Sequence, residues 1–238
     1  ALVGGYKVDG ENTYVTSTAG FTAALEAKAT KIVLMPGKYK GVFAIKANGT
    51  TITGKKGAVV DCINLNGKNN VTLKDITFDA EGAQYSYDGR DGAKQKANII
   101  SADKGHKTLP AGQNITIYEC SFTGEFVSGG VALSFTDQTR TGSGNVTIEK
   151  CTFNTTGGYC DIYGHYFGNS NNFVIKDNVF NSDVMNQTIY MGRYASSVPV
   201  VITGNEFNTK TSINEAVALQ DHSNYGVSID ASNNTFAN

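Results

Sequence analysis

Through the second half of the chain, apolar and polar residues alternate in short runs, and each run ends in phenylalanine. The runs are Asn70-Val-Thr-Leu-Lys-Asp-Ile-Thr-Phe78, Asn114-Ile-Thr-Ile-Tyr-Glu-Cys-Ser-Phe122, Asn145-Val-Thr-Ile-Glu-Lys-Cys-Thr-Phe153, Asn172-Phe-Val-Ile-Lys-Asp-Asn-Val-Phe180, Val200-Val-Ile-Thr-Gly-Asn-Glu-Phe207 and Val227-Ser-Ile-Asp-Ala-Ser-Asn-Asn-Thr-Phe236. Alternation with a period of two marks a strand with one face buried and the other wet. One such strand cannot bury its apolar side alone, whereas stacked copies share a continuous core. The anchoring phenylalanines are 44, 31, 27, 27 and 29 residues apart. Most of these spacings suit one turn of a β-solenoid. The first is longer and carries an insertion, roughly Gly82 to Gly112.

Two residues before each phenylalanine stand Ile76, Cys120, Cys151, Asn178, Asn205 and Asn234. The pattern predicts one internal column whose last three members form an asparagine ladder, because buried amides are tolerable only when hydrogen-bonded. Cys120 and Cys151 read as small buried hydrophobes. Their strands are close enough for a disulfide by Cα distance, but in-register parallel neighbours rarely orient well for one, and the sequence leaves the bridge undecided. A second short apolar strand recurs between the anchors, at Asn98-Ile-Ile-Ser101, Val131-Ala-Leu-Ser-Phe135, Asp161-Ile-Tyr163, Thr188-Ile-Tyr-Met191 and Ala216-Val-Ala-Leu-Gln220. Upstream, Phe21-Thr-Ala-Ala-Leu-Glu-Ala-Lys28 is built of helix formers, with Ser17, Thr18 and Gly20 as cap candidates. It is the expected cover of the first turn, and Lys31–Met35 follows as a strand ended by Pro36-Gly37. Residues 1–16 read as an N-terminal arm and 17–238 as the solenoid domain. No cap is legible after the last anchor, so a neighbouring subunit is expected to cover that end.

Composition narrows the classes of partner. Apolar residues make up 40 % and charged residues 17 % of 238, which is not the balance of a disordered chain. A net charge of −1 argues against nucleic acid, which calls for a basic face. No segment has the length of a membrane span, and the first residues, Ala1 to Tyr6, lack the charged and apolar regions of a signal peptide. No metal or cofactor motif is legible: the four cysteines form no C-x-x-C pair, and Gly4-Gly5 and Gly129-Gly130 open no phosphate loop. The Asn-x-Thr triplets follow from Asn-rich turns running into Thr-rich strands.

The helix at 21–28, the run Ile32-Val-Leu-Met-Pro-Gly-Lys-Tyr39 and the repeated N-V-T-I…F segments together resemble the pectin-lyase-like superfamily of right-handed parallel β-helices. The resemblance covers nearly the whole chain. It implies an all-β fold: a single-stranded right-handed parallel β-helix with a short N-terminal capping helix. For function it implies a range, from polysaccharide lyases and hydrolases to phage tailspikes and non-catalytic virion proteins, and fold alone does not choose among them.

The loops after the second strand, Ser101–Gln113, Ser134–Gly144, Gly164–Asn171, Gly192–Val198 and Gln220–Tyr225, are expected at one corner. They carry His106, Asp137, Arg140, His165, Tyr166, Arg193, Tyr194, Asp221, His222 and Tyr225, joined by Asp103, Lys104 and Lys107. Binding residues concentrate in loops on a rigid scaffold, and tyrosine faces with planar donors suit sugar rings and carboxylates. For β-elimination, His165, Tyr166 and Arg193 supply base and cation types. For glycoside hydrolysis, Asp161 pairs with Asp137 or Asp221. No catalytic set stands out. The reading is therefore a structural or adhesive surface module, extracellular or on a phage virion, oligomeric and able to bind polysaccharide. The alternative is a lyase or glycoside hydrolase acting on an acidic polysaccharide.

Overall fold

A computed structural model describes residues 5–87, 94–102, 112–127, 129–136, 144–165, 172–194, 200–208, 217–221 and 229–237. The protein is all-β apart from one helix, and among the described residues its strands lie in two sheets of ten and fifteen strands. No described helix is long and apolar enough to cross a membrane.

The ten-stranded sheet takes one strand from each successive repeat. Its order is Tyr6–Asp9, Asn12–Val15, Lys31–Leu34, Thr51–Gly54, Val71–Lys74, Ile115–Tyr118, Asn145–Glu149, Asn172–Lys176, Val200–Thr203 and Ile229–Ser232. Every neighbouring pair is parallel except the first, a hairpin formed within residues 1–16. Register fixes the core: Ile32, Ile52, Leu73, Ile117, Ile148, Ile175 and Ile202 oppose one another strand after strand, and all are buried.

The larger sheet holds the other two strands of each repeat. One run carries the phenylalanines, through Thr77–Asp79, Ser121–Glu125, Thr152–Gly158, Val179–Phe180, Glu206–Phe207 and Thr235–Phe236. The other is Lys94–Ile100, Val131–Thr136, Cys160–His165, Ile189–Tyr194 and Val217–Asp221, the expected second strands in parallel register. Both runs meet on Ala58–Asn64, which pairs with Thr77–Asp79 through Val59 and Val60 and with Lys94–Ile100 through Ile63 and Asn64. The insertion corrects one expectation. Tyr85–Lys96 reads in the sequence as a solvated mixed-charge loop, whereas Gln84–Tyr87 folds back antiparallel onto Lys94–Ile100.

The anchors stack as expected. Ring centroids along Phe78, Phe122, Phe153, Phe180, Phe207 and Phe236 are 5.1, 4.6, 4.8, 4.9 and 5.1 Å apart, and the rings of each pair are nearly parallel. Beside them runs the predicted asparagine ladder. Asn178 Nδ2 donates to Asn205 Oδ1 at 3.0 Å, and Asn205 Nδ2 donates to Asn234 Oδ1 at 3.1 Å. Each Oδ1 also accepts the backbone N–H of the preceding column member, from Cys151, Asn178 and Asn205 at 2.8, 2.9 and 3.0 Å. Each Nδ2 reaches a carbonyl of the ten-stranded sheet, on Ile148, Ile175 and Ile202, all at 2.9 Å. Cys120 and Cys151 continue the column as free buried thiols, with Cys151 Sγ donating to the Ile117 carbonyl at 3.6 Å.

Between the two sheets the chain turns on a single left-handed residue. Asp75, Glu119, Lys150, Asp177, Gly204 and Asn233 have φ of 54°, 52°, 54°, 56°, 68° and 56°. For a residue with a Cβ this conformation costs about 1 kcal/mol or more. The turn is kept in the ladder because the backbone N–H of Asp75, Glu119, Lys150, Asp177 and Gly204 each donates to the carbonyl of the next repeat, at 3.0–3.2 Å.

At the other end, the helix Thr18–Glu26 is capped by Ser17, whose Oγ accepts the Gly20 N–H at 3.0 Å. It buries Phe21, Ala24 and Leu25, and Phe21 stacks on Phe43 with centroids 4.4 Å apart.

Candidate functional site

The second-strand run sets one edge of the molecule. Phe135, Gly164 and Met191 oppose one another, then Thr136, His165 and Gly192, and further on Tyr194 opposes Asp221. The backbones of His165, Arg193, Tyr194 and Asp221 thus sit at neighbouring strand ends, about 4.8 Å from strand to strand. The structure brings those four positions together. Their side chains lie outside the described residues, as do His106, Asp137, Arg140, Tyr166, His222 and Tyr225 in full, and with them Asp103, Lys104 and Lys107.

Among the described residues, the polar cleft of note lies at the left-handed turn between the sheets. It has a volume of about 370 Å³ and is lined by Thr53, Lys55, Lys56, Asp75, Glu119 and Ser121, among others. Asp75 and Glu119 hold equivalent turn positions in successive repeats, so the stack places two carboxyls side by side. Burial raises the Asp75 carboxyl above its ordinary value. A hydrogen bond to Glu119 and the charge there push the same way, and Lys74 opposes them. Two carboxyls so placed, with Lys55 and Lys56 on the same cleft, present oxygens and cations to a polar ligand. Lys150 completes the surface nearby, its Nζ 3.3 Å from the Tyr118 hydroxyl and over the Tyr118 ring.

Asp161, a member of both hydrolase pairings read from the sequence, is corrected by the structure. It is fully buried. A carboxyl with no exposure cannot reach a glycan. The N–H groups of Asp161 and Ile162 both donate to the Thr188 carbonyl, and the Asp161 side chain turns to Thr155 and Ser182.

Two features went unread in the sequence. Asn114 Nδ2 donates to Asn70 Oδ1 at 2.9 Å, and Asn145 Nδ2 to Asn114 Oδ1 at 3.3 Å. On another corner Asn181 Nδ2 donates to Asn154 Oδ1 at 2.9 Å, and Asn208 Nδ2 to Asn181 Oδ1 at 3.0 Å. These surface ladders flank the inner one. The signal for the second was present as Phe-Asn at 153–154, 180–181 and 207–208.

Among the described residues no group of three or more His, Cys, Asp or Glu is placed to hold a metal ion. Comparison of the chain with protein-family models, with curated proteins and with solved structures finds no match.

Proposed function

We propose that this chain is a right-handed parallel β-helix of the pectin-lyase-like kind. In this reading it serves as a non-catalytic adhesive or structural module on an outer surface, such as that of a phage virion, where it binds polysaccharide. The observation that carries this reading is the alignment of strand ends in the second-strand run. Successive repeats deliver their following loops at one edge, in steps of about 4.8 Å. A straight row of equivalent loops suits a linear polymer, which can be held at several points at once. The rigid backing comes from three asparagine ladders and a phenylalanine stack.

The second reading, a lyase or hydrolase of acidic polysaccharide, draws on the cleft that joins Lys55 and Lys56 to the Asp75–Glu119 pair. One experiment separates the two. The purified chain is incubated with a panel of acidic and neutral polysaccharides while retention, unsaturated products and new reducing ends are followed. The module reading expects retention of at least one polysaccharide with no product, and the folded triple variant His165→Ala, Tyr166→Ala, Arg193→Ala loses that retention. Turnover of any polysaccharide establishes the enzyme instead. Retention unchanged in the triple variant moves the site away from this edge.

A further inference from the structure

One inward column of the second-strand run is polar. Register places Asn98, Ala132, Asp161 and Thr188 in line through the neighbouring pairs. Asn98, Asp161 and Thr188 are each wholly buried. Asn98 Nδ2 is satisfied by the carbonyls of Asp61 and Asp79, at 2.9 and 3.0 Å. One oxygen on each of the three is not: Asn98 Oδ1, Asp161 Oδ2 and Thr188 Oγ1 have no hydrogen-bond partner. The partners Asp161 does have are neutral. Thr155 Oγ1 lies 3.3 Å from Asp161 Oδ1 and 3.1 Å from Ser182 Oγ, and Ser182 bonds the carboxyl in turn.

A carboxylate in this setting would be an uncompensated charge. Of the titratable groups on the surrounding segments, Cys160 is the neighbour that feels Asp161, and its own thiol is buried and neutral. Asp183, next to Ser182, is exposed. Val131–Thr136 opposes Asp161 with Ala132, and Thr152–Gly158 presents Thr155, so neither brings a charge. Among the described residues no lysine, arginine or histidine acts on Asp161. Burying an unpaired charge is far costlier than taking up a proton.

We propose that the folded protein binds a proton at Asp161 and that this buried acid ties its stability to pH, holding the corner formed by Thr155, Asp161 and Ser182 closed in mild acid and weakening it above neutrality. Burial pushes the Asp161 carboxyl up to about 7, with the hydrogen bonds from Ser182 and Thr155 acting in the opposite sense. The sign follows from linkage. In the unfolded chain the same carboxyl releases its proton near its ordinary value of 3.8. Between that value and about 7 the folded state holds a proton that the unfolded state does not, so stability falls as pH rises through the window and levels off above it. Asp161 lies on Cys160–His165, whose last residue begins the loop edge described above, so the weakened strand is one that carries a loop of the proposed binding row.

The test compares urea unfolding of the wild type and Asp161→Asn from pH 5 to pH 9. The folding constant of the variant relative to wild type should rise by about fifty-fold from pH 5 to pH 7 and by about a hundred-fold in all by pH 9, where it is flat. A ratio that stays flat across the range overturns the proposal. A second measurement applies even where the asparagine variant does not fold. In protein labelled at the aspartate carboxyl carbons, one resonance should titrate near neutrality and move to higher pH in Ser182→Ala. Every aspartate resonance titrating below about pH 5 overturns the proposal equally, because it places a charged carboxylate in the core.

Discussion

At Asn205 one side chain makes four hydrogen bonds. Its Oδ1 accepts from the N–H and the side-chain amide of Asn178, and its Nδ2 donates to the Ile175 carbonyl and to Asn234. Replacing it with leucine keeps the branched shape, adds bulk, and strands a buried donor and acceptor on either side, each worth about 1–3 kcal/mol. Asn205→Leu should therefore lower stability by about 3 kcal/mol or more in urea unfolding, and a loss under about 1 kcal/mol would contradict the ladder. The same column supplies a control. Cys151 Sγ donates to the Ile117 carbonyl as Asn205 Nδ2 does to that of Ile175. Asn205→Cys keeps that one bond and should lie between wild type and leucine. This column was legible in the sequence because its members stand at a constant offset from an aromatic anchor. The turn residue before it was not. Aspartate, glutamate, lysine, glycine and asparagine all occupy it, since a backbone bond to the next repeat, rather than a residue type, holds the left-handed conformation. Asp161 was misread for a related reason: the sequence shows a carboxylate, but only its burial against Thr155 and Ser182 shows that it points inward.

At the scale of elements, the phenylalanine strands are very short, two or three residues in four of the six repeats. Such strands have little pairing energy of their own, and the ring stack beside them supplies the rest. Phe153 sits mid-stack, fully buried, with rings at 4.6 Å on one side and 4.8 Å on the other. Phe153→Ala should destabilise by about 3–5 kcal/mol, a core aromatic deletion with a cavity flanked by two further rings. A calorimetric or denaturant measurement showing less than about 1 kcal/mol would remove the stack from the account. The second strands were legible for the same reason as the anchors: short apolar runs recurring at the repeat spacing. The hairpin of Gln84–Tyr87 on Lys94–Ile100 was not, because Tyr85–Lys96 is rich in charge and glycine and carries no alternation to announce a strand.

For the whole molecule, the sequence shows where the loops leave the scaffold but little of how their side chains meet. Strand-end register is a property of the repeat, so the pairing of His165 with Gly192 follows from spacing, whereas Asp221 meets Tyr194 only after a register shift that the spacing does not show. Loop conformation obeys no repeat, and His106, Arg140 and Tyr225 carry no pattern from which contacts could be read. The function proposed above therefore rests on the backing, a set of columns to which successive repeats add core residues, three-membered asparagine ladders and the loops of the edge. The measurement that tests this backing most directly is ring-to-ring magnetisation transfer in protein deuterated except at its phenylalanine rings. The stack predicts an unbroken chain of contacts from Phe78 through Phe122, Phe153, Phe180 and Phe207 to Phe236, as centroid distances of 4.6 to 5.1 Å require. A folded sample in which those contacts are missing, or link the anchors out of order, would contradict it.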